Sequence, residues 1–295
     1  MVVDLLKGAE VGSAGRTGDA NRRELITRFQ QACGAVMAKG IEDTAYYRWT
    51  HLLPLCEVGS PASRFALPPA NFHAWADEQQ VQYPHGMTSL TTHDTKRSED
   101  VRARLSVLSE AAEEWDALVT RLQAATADLK PSSLDGRTEN LWWQTLAGTS
   151  DEHSVMEWDR LEGYLIKAMR EAKTHTTWTS VDESLRERRA LVRAGHPCRS
   201  HRALAPCRMA PSDGGRGACP HPRDEGSSRL TMPGVPDVYQ GTETVAPSLV
   251  DPDNRRPVDF DALADTLERL QGHAKPRGLA EEKAPRDVAH APGAA

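Results

Sequence analysis

Between Met87 and Arg104 the sequence MTSLTTHDTKRSEDVRAR compresses three kinds of local structure into one short run. Met87 to Thr92 is rich in Thr and apolar residues and suits a short strand, although so brief a run has no periodicity to separate it from loop. His93 and Asp94 fall where that strand would end. Ser98 has the chemistry of an N-cap, Glu99 and Asp100 occupy the first turn where the helix dipole favours negative charge, and Val101, Leu105 and Leu108 lay an apolar stripe at i, i+4, i+7. Strand, polar turn and helix form the βα unit of α/β architectures, and polar residues at the carboxyl end of a barrel strand are where such folds place their chemistry.

The length of 295 residues leaves room for about two domains or one barrel-sized unit. A formal net charge of −6 offers no basic face for nucleic acid, and a neutral, hydroxyl-rich ligand fits equally well. The five cysteines (Cys33, Cys56, Cys198, Cys207, Cys219) are an odd, scattered set without a CxxC pair, which points away from a disulfide framework and toward a reducing cytoplasm. The first residues lack a basic region followed by an apolar core, and no run approaches the ~18 apolar residues of a membrane span, so neither export nor membrane insertion is expected.

Along the chain, Val2 to Asp19 is Gly-rich and suits a loop or a frayed end, Asn21 to Ala32 is helix-prone, and Pro68 to Gln80 reads as a helix opened by prolines. Phe72 and Trp75 in that helix stand at i, i+3, the ordinary signature of a buried face. From Ser109 to Ala194 the pattern turns helical, with Trp115, Leu118, Leu122 and Leu129 marking one amphipathic helix and Trp158, Leu161, Leu165 and Met169 another. Ser180 with Glu183 forms a capping-box signature ahead of Val181, Leu185 and Val192, with Gly195 as C-cap. Trp142 and Trp143 read as core rather than as sugar-stacking rings. Pro197 to Arg229 then holds no Ile, Val, Phe, Trp or Tyr but six Arg and five Pro, a composition unable to fill a core. A zinc site from His196, Cys198, His201, Cys207, Cys219 and His221 would match no common zinc module. Val235 to Tyr239 is a second short β-prone run, Asp251 to Pro257 is turn chemistry, Asp261 to Gln271 reads as a final helix, and Gly272 to Ala295 as a disordered tail.

Four segments together resemble one family. THDTKRSED resembles the turn after the seventh barrel strand of maltooligosyltrehalose synthase, in the α-amylase superfamily of glycoside hydrolases. VMAKGIEDTAYYRW (Val36 to Trp49), PGVPDVYQGTE (Pro233 to Glu243) and SLVDPDNRRPVDF (Ser248 to Phe260) agree with it in order. One departure is Val245-Ala246-Pro247, which replaces the family's Trp-Asp-Leu. Family-like sequence stops near His196 and resumes near Leu230, so the intervening stretch reads either as a linker or as the product of two compensating frameshifts.

The resemblance implies an α/β, mostly helical fold: a partial (β/α)8 barrel made of its C-terminal strands, with a helical insertion. Residues 1–108 would be a partial catalytic barrel segment, 109–196 the insertion, 197–229 an irregular linker, 230–271 the last strand, loop and helix, and 272–295 the tail. It implies that Asp94 is the third active-site carboxylate, bonding the reacting glucose as its oxocarbenium character develops, with His93 donating to the same sugar. From spacing alone Lys39, Glu42 and Asp43 read as a solvated helix face with i, i+3 charge pairs. The resemblance places them near the sugar cleft, with Arg97, Glu243, Arg255 and Arg256 as further substrate contacts, and Lys96 and Arg97 read equally as surface cations. A maltooligosaccharide is the implied substrate, without metal or organic cofactor, nucleic acid or membrane. The chemistry implied is an intramolecular glucosyl transfer that converts the reducing-end α-1,4 linkage to α,α-1,1. Retention in this superfamily needs two carboxylates about 5 to 5.5 Å apart, a nucleophile and an acid/base. The sequence holds no G-x-R-x-D segment for the first and no counterpart of the second, so the chain is expected to begin after both and to be inactive alone. A non-catalytic remnant, a glucan-binding module and a trehalose-releasing hydrolase are the competing expectations.

Overall fold

Ser98 caps the helix that follows it, its side chain accepting from the Val101 amide, and Glu99 and Asp100 occupy the first turn as their charge favours. This helix belongs to a computed structural model that describes residues 16–130, 134–150, 156–181 and 229–272. In chain order the helices are α1 (Arg16–Met37), α2 (Tyr46–Arg48), α3 (Pro69–Gln82), α4 (Glu99–Ser106), α5 (Ala112–Ala125), α6 (Gly136–Thr149), α7 (Trp158–Ala172) and α8 (Phe260–Gly272). A π-helical segment, Ala38–Ala45, joins α1 to α2. The strands β1 (Met87–Ser89) and β2 (Val235–Asp237) pair in parallel, with Met87 opposite Val235 and Ser89 opposite Asp237. The described part is therefore mostly helical with one small parallel sheet.

Local chemistry sets most of these boundaries. Asp135 caps α6 by accepting from the Arg137 and Thr138 amides at 2.9 Å each. α7 ends at Lys173, whose φ of 53° is left-handed. Where the two strands meet, Gly234 has φ +116° and a Cβ there would lie 2.7 Å from the Gly86 carbonyl oxygen, so the close pairing requires glycine. β1 stops at Ser89, short of the expected Thr92, because the threonines beyond it turn their hydroxyls to local bonds. Thr91 Oγ1 donates to Glu99 Oε2 at 3.0 Å, and Thr95 Oγ1 donates to the Thr92 carbonyl at 2.8 Å.

The core lies among the helices rather than on the sheet. Val101, Leu105 and Leu108 of the α4 region pack with Leu118 and Leu122 of α5, Trp142, Trp143 and Leu146 of α6, and Leu161 and Leu165 of α7. Trp142 and Trp143 are core, as their sequence context indicates. Gly148 lets α6 approach α4, since its Cβ would meet Leu105 Cγ and Val101 Cγ1 at 2.9 Å.

Three expectations change. α1 begins at Arg16, where a loop or a frayed end to Asp19 was expected. α5 ends at Ala125, and Leu129 falls on the separate turn Ala127–Leu129. Phe72 and Trp75, expected in the core, are 36% and 38% exposed, and α3 buries no residue at all. An i, i+3 apolar pair marks a face for burial only where another element covers it, and none does so among the described residues. The helix expected after Ser180, all but the last residue of the 197–229 linker, the cysteines and histidines weighed for zinc, and the tail beyond Gly272 lie outside the described residues. No helix among those described is long and apolar enough to cross a membrane.

Candidate functional site

The turn between β1 and α4 is held from three directions, and Asp94 stands at its open side. Within the turn, the Thr92 and Thr95 amides each donate to the other's hydroxyl, at 3.1 and 3.2 Å. From below, the Glu57 carboxylate accepts from the Lys96 amide at 2.7 Å and the Arg97 amide at 3.2 Å. From the side, Asn254 Nδ2 donates to the carbonyls of Thr92 at 3.2 Å and His93 at 2.9 Å. The side chain of Asp94 is left 71% exposed, with His93 Nε2 at 3.2 Å from its Oδ2.

A second layer ties the loop 246–257 to the same turn. The Ala246 amide donates to Asp100 Oδ2 at 2.7 Å, the Ser98 amide donates to the Ser248 carbonyl at 2.9 Å, and Arg97 forms an antiparallel bridge with Leu249. Burial pushes the Asp100 carboxyl above its ordinary value, against the bond from Ala246. α7 clamps the far side: Arg160 grips Asp253 with Nε at 2.7 Å and Nη2 at 3.0 Å, and Lys167 Nζ donates to the Asp251 carbonyl at 2.5 Å. Desolvation lowers the Lys167 ammonium below its ordinary value.

Beside the turn lies a charged cluster. Asp43, on the π-helical segment, receives Lys96 Nζ at 2.6 Å and also pairs with Lys39. Lys96 is almost wholly buried, its ammonium 5.6 Å from the centre of the Tyr47 ring. Burial alone would raise the Asp43 carboxyl, but the bonds from Lys39 and Lys96 outweigh it and hold it below its ordinary range. Lys39 is raised by its bond to Asp43, with smaller electrostatic contributions from Glu171 and Asp94.

The expected site residues divide into three groups. His93 and Asp94 pair on the open side of the turn, and Lys39 and Asp43 pair with each other beside it, Asp43 also meeting Lys96 two residues beyond Asp94. Glu42 is half-buried next to them and accepts from the Gly59 amide at 3.2 Å. Glu243 is exposed on the turn after β2, Arg255 pairs with Asp251 at 2.5 Å, and half-exposed Arg256 reaches only to 3.8 Å from Asp253. Arg97 differs from the expectation of a cleft-lining or surface cation. It is 1% exposed, and its guanidinium donates to Tyr164 Oη at 3.0 Å and to the carbonyls of Leu53 and Cys56. Its side chain runs into the core, where Tyr164 and two backbone carbonyls receive the guanidinium. Sequence reasoning missed Glu57, Asn254, Arg160 and Lys167. Only Glu57 carried a signal, a lone carboxylate between Cys56 and Val58 in an apolar run. A cavity of about 480 Å³ lined by Tyr47, Arg48, Asp135, Arg137, Met169 and His175 includes no residue of the Asp94 turn.

No protein-family model matches the chain. Two curated proteins called putative maltooligosyl trehalose synthase, from two strains of Mycobacterium tuberculosis, are 39% identical to it over 87% of this chain and 33% of theirs. The chain matches one segment of the maltooligosyltrehalose synthases. It spans about a third of the length of these curated relatives. The solved maltooligosyltrehalose synthase from Arthrobacter ramosus is 40% identical, with a TM-score of 0.70 over 83% of this chain and 31% of that one. A hypothetical maltooligosyl trehalose synthase from Sulfolobus tokodaii is 29% identical, with a TM-score of 0.66 over 85% of this chain and 36% of that one.

Proposed function

We propose that these residues form the sugar-holding side of a maltooligosyltrehalose synthase active site, the enzyme that turns the reducing-end α-1,4 linkage of a maltodextrin into α,α-1,1. The observation that carries this reading is Asp94: exposed, beside His93, on a turn whose backbone is fixed by Glu57, Asn254 and the loop 246–257. A carboxylate presented so rigidly favours a sugar whose ring acquires positive charge, because the bond to it strengthens as the charge develops. His93 donates to the same glucose. Lys39, Glu42 and Asp43 line the adjacent wall, and Glu243, Arg255 and Arg256 the rim across from it.

In this reading β1 and β2 are the seventh and eighth strands of a (β/α)8 barrel, whose neighbours in such folds pair in parallel as these do. Residues 109–196 are an insertion whose helix α7 braces the loop over the site through Arg160 and Lys167. Burying the reacting sugar beneath such a loop excludes water, which separates transfer within one molecule from hydrolysis. The third carboxylate supports the chemistry but does not form or break the glycosidic bond. Accordingly the 295 residues by themselves should leave the reducing ends of maltopentaose intact. A reducing-sugar assay on the purified chain tests this, and conversion of maltopentaose to a non-reducing product by that chain alone would overturn it.

A further inference from the structure

Glu57 lies outside all four segments that carry the family resemblance, yet it is the carboxylate on which the Asp94 turn rests. It is 7% exposed. Its Oε1 accepts from the amides of Lys96 at 2.7 Å and Val58 at 2.8 Å, and its Oε2 from the amide of Arg97 at 3.2 Å. Its counter-charge is Arg102, with Nη1 at 3.7 Å from Oε2. Arg102 in turn donates to the Arg97 carbonyl at 2.8 Å and the Leu90 carbonyl at 2.6 Å. The pair therefore grips the turn at both ends, just after β1 and just before α4, while Asn254 holds the Thr92 and His93 carbonyls between them. Burying a carboxylate is costly unless it is paired and hydrogen-bonded, and here every bond it makes to the turn goes to backbone within three residues of Asp94. The side chain of Asp94 is the part of the turn these bonds leave free.

We propose that Glu57 is the positioning residue for Asp94, setting the direction in which that carboxylate is presented to a maltodextrin. The proposal rests on the glucan reading of Asp94. Glu57 touches no sugar in this account and acts only through the turn.

The test uses the 295-residue chain as wild type, Glu57→Gln, Glu57→Asp, Asp94→Ala and the double variant Glu57→Gln/Asp94→Ala. Hydrogen exchange at the Lys96 and Arg97 amides and calorimetric affinity for maltopentaose are read together. A glutamine offers one acceptor oxygen where the carboxylate offers two. At least one of the two amides should therefore exchange about tenfold faster, the scale of a lost bond to a charged group, while the Trp143 amide in the core is unchanged. Affinity should fall in Glu57→Gln and in Asp94→Ala, and the double variant should bind no more weakly than Asp94→Ala, because the two act as one unit. Glu57→Asp keeps the charge for Arg102 but withdraws the acceptor by one methylene, and should reproduce the exchange result if the glutamine variant fails to fold. Unchanged exchange at both amides, or losses of affinity that add, would overturn the proposal, since a merely structural role leaves Asp94→Ala and Glu57→Gln independent. A wild-type chain that ignores maltopentaose, together with faster exchange in Glu57→Gln, would refute the glucan reading instead.

Discussion

Replacing Arg160 by alanine probes the clamp between α7 and the loop over the site. The Arg160 guanidinium meets the Asp253 carboxylate in two parallel bonds of 2.7 and 3.0 Å and also donates to the Pro247 carbonyl at 3.0 Å. The Asp253 side chain is only 7% exposed, and its Oδ2 additionally accepts from the Leu249 amide at 2.8 Å. Truncating Arg160 would leave that carboxylate inside the protein with the Leu249 amide and a distant Arg256 at 3.8 Å. Breaking a buried pair from one side costs ~3–5 kcal/mol, and the surviving amide bond puts this case near the lower end, at about 3 kcal/mol. For a protein of this size each kcal/mol is worth about 2–4 °C in melting temperature, so R160A should melt roughly 6–12 °C below wild type. The assay is a thermal melt followed by near-ultraviolet circular dichroism, which reports on Trp142 and Trp143. R160K, which keeps the charge but not the fork, should fall between the two. E157A is the control: Glu157 is 72% exposed and pairs with the same arginine at 3.2 Å, so its loss should cost about 0.5 kcal/mol or less. If R160A melts together with E157A, the loop is held by other contacts and the clamp has been misread.

Three further outcomes follow from single contacts. G148A should cost about 1–3 kcal/mol in urea unfolding despite its better helix propensity, because the new methyl meets Leu105 and Val101 at 2.9 Å. Burial holds the folded Asp100 carboxyl above its unfolded value of about 4. Its contribution is therefore greatest below that value and is lost as pH rises through the folded one. D100N should flatten this slope in urea midpoints measured from pH 3 to 7, and be as stable as wild type or slightly more so at pH 7. Asp43 has the opposite sign: lysine bonds hold it below its unfolded value despite burial, so its contribution is present above pH ~4 and lost as pH falls through its folded value. D43N strands buried Lys96 without its carboxylate and should cost about 2 kcal/mol at pH 7, a difference that shrinks in acid.

The parts of this molecule legible in the sequence are those governed by neighbours in the chain. Ser98 as N-cap, the α7 stripe of Leu161 and Leu165, and the burial of Trp142 and Trp143 follow from spacing and residue type. The strand pair was foreseeable as two short β-prone runs, but its parallel register depends on Gly86 and Gly234 meeting across a long stretch of chain. Phe72 and Trp75 were misread because periodicity marks a face without naming what covers it. Arg97 was misread for a related reason: a cation in a run of charges looks solvated, and the acceptors that hold it in the core, Tyr164 and the Leu53 and Cys56 carbonyls, lie far off along the chain. Asp94 and His93 were singled out only through the resemblance. The residues that hold them, Glu57 and Asn254, act on backbone atoms some 40 and 160 positions away along the chain, and such contacts leave no local pattern.

Calorimetric titration of maltopentaose into the 295-residue chain, wild type against Asp94→Ala, bears most directly on the reading of this turn as the sugar-holding side of a glucosyl transferase. Saturable binding by the wild type that is weakened at least about tenfold by the substitution, the loss expected for a charged hydrogen bond to a sugar hydroxyl, is the result the account requires. Equal affinities in the two proteins, with Asp94→Ala as stably folded as the wild type, would contradict it.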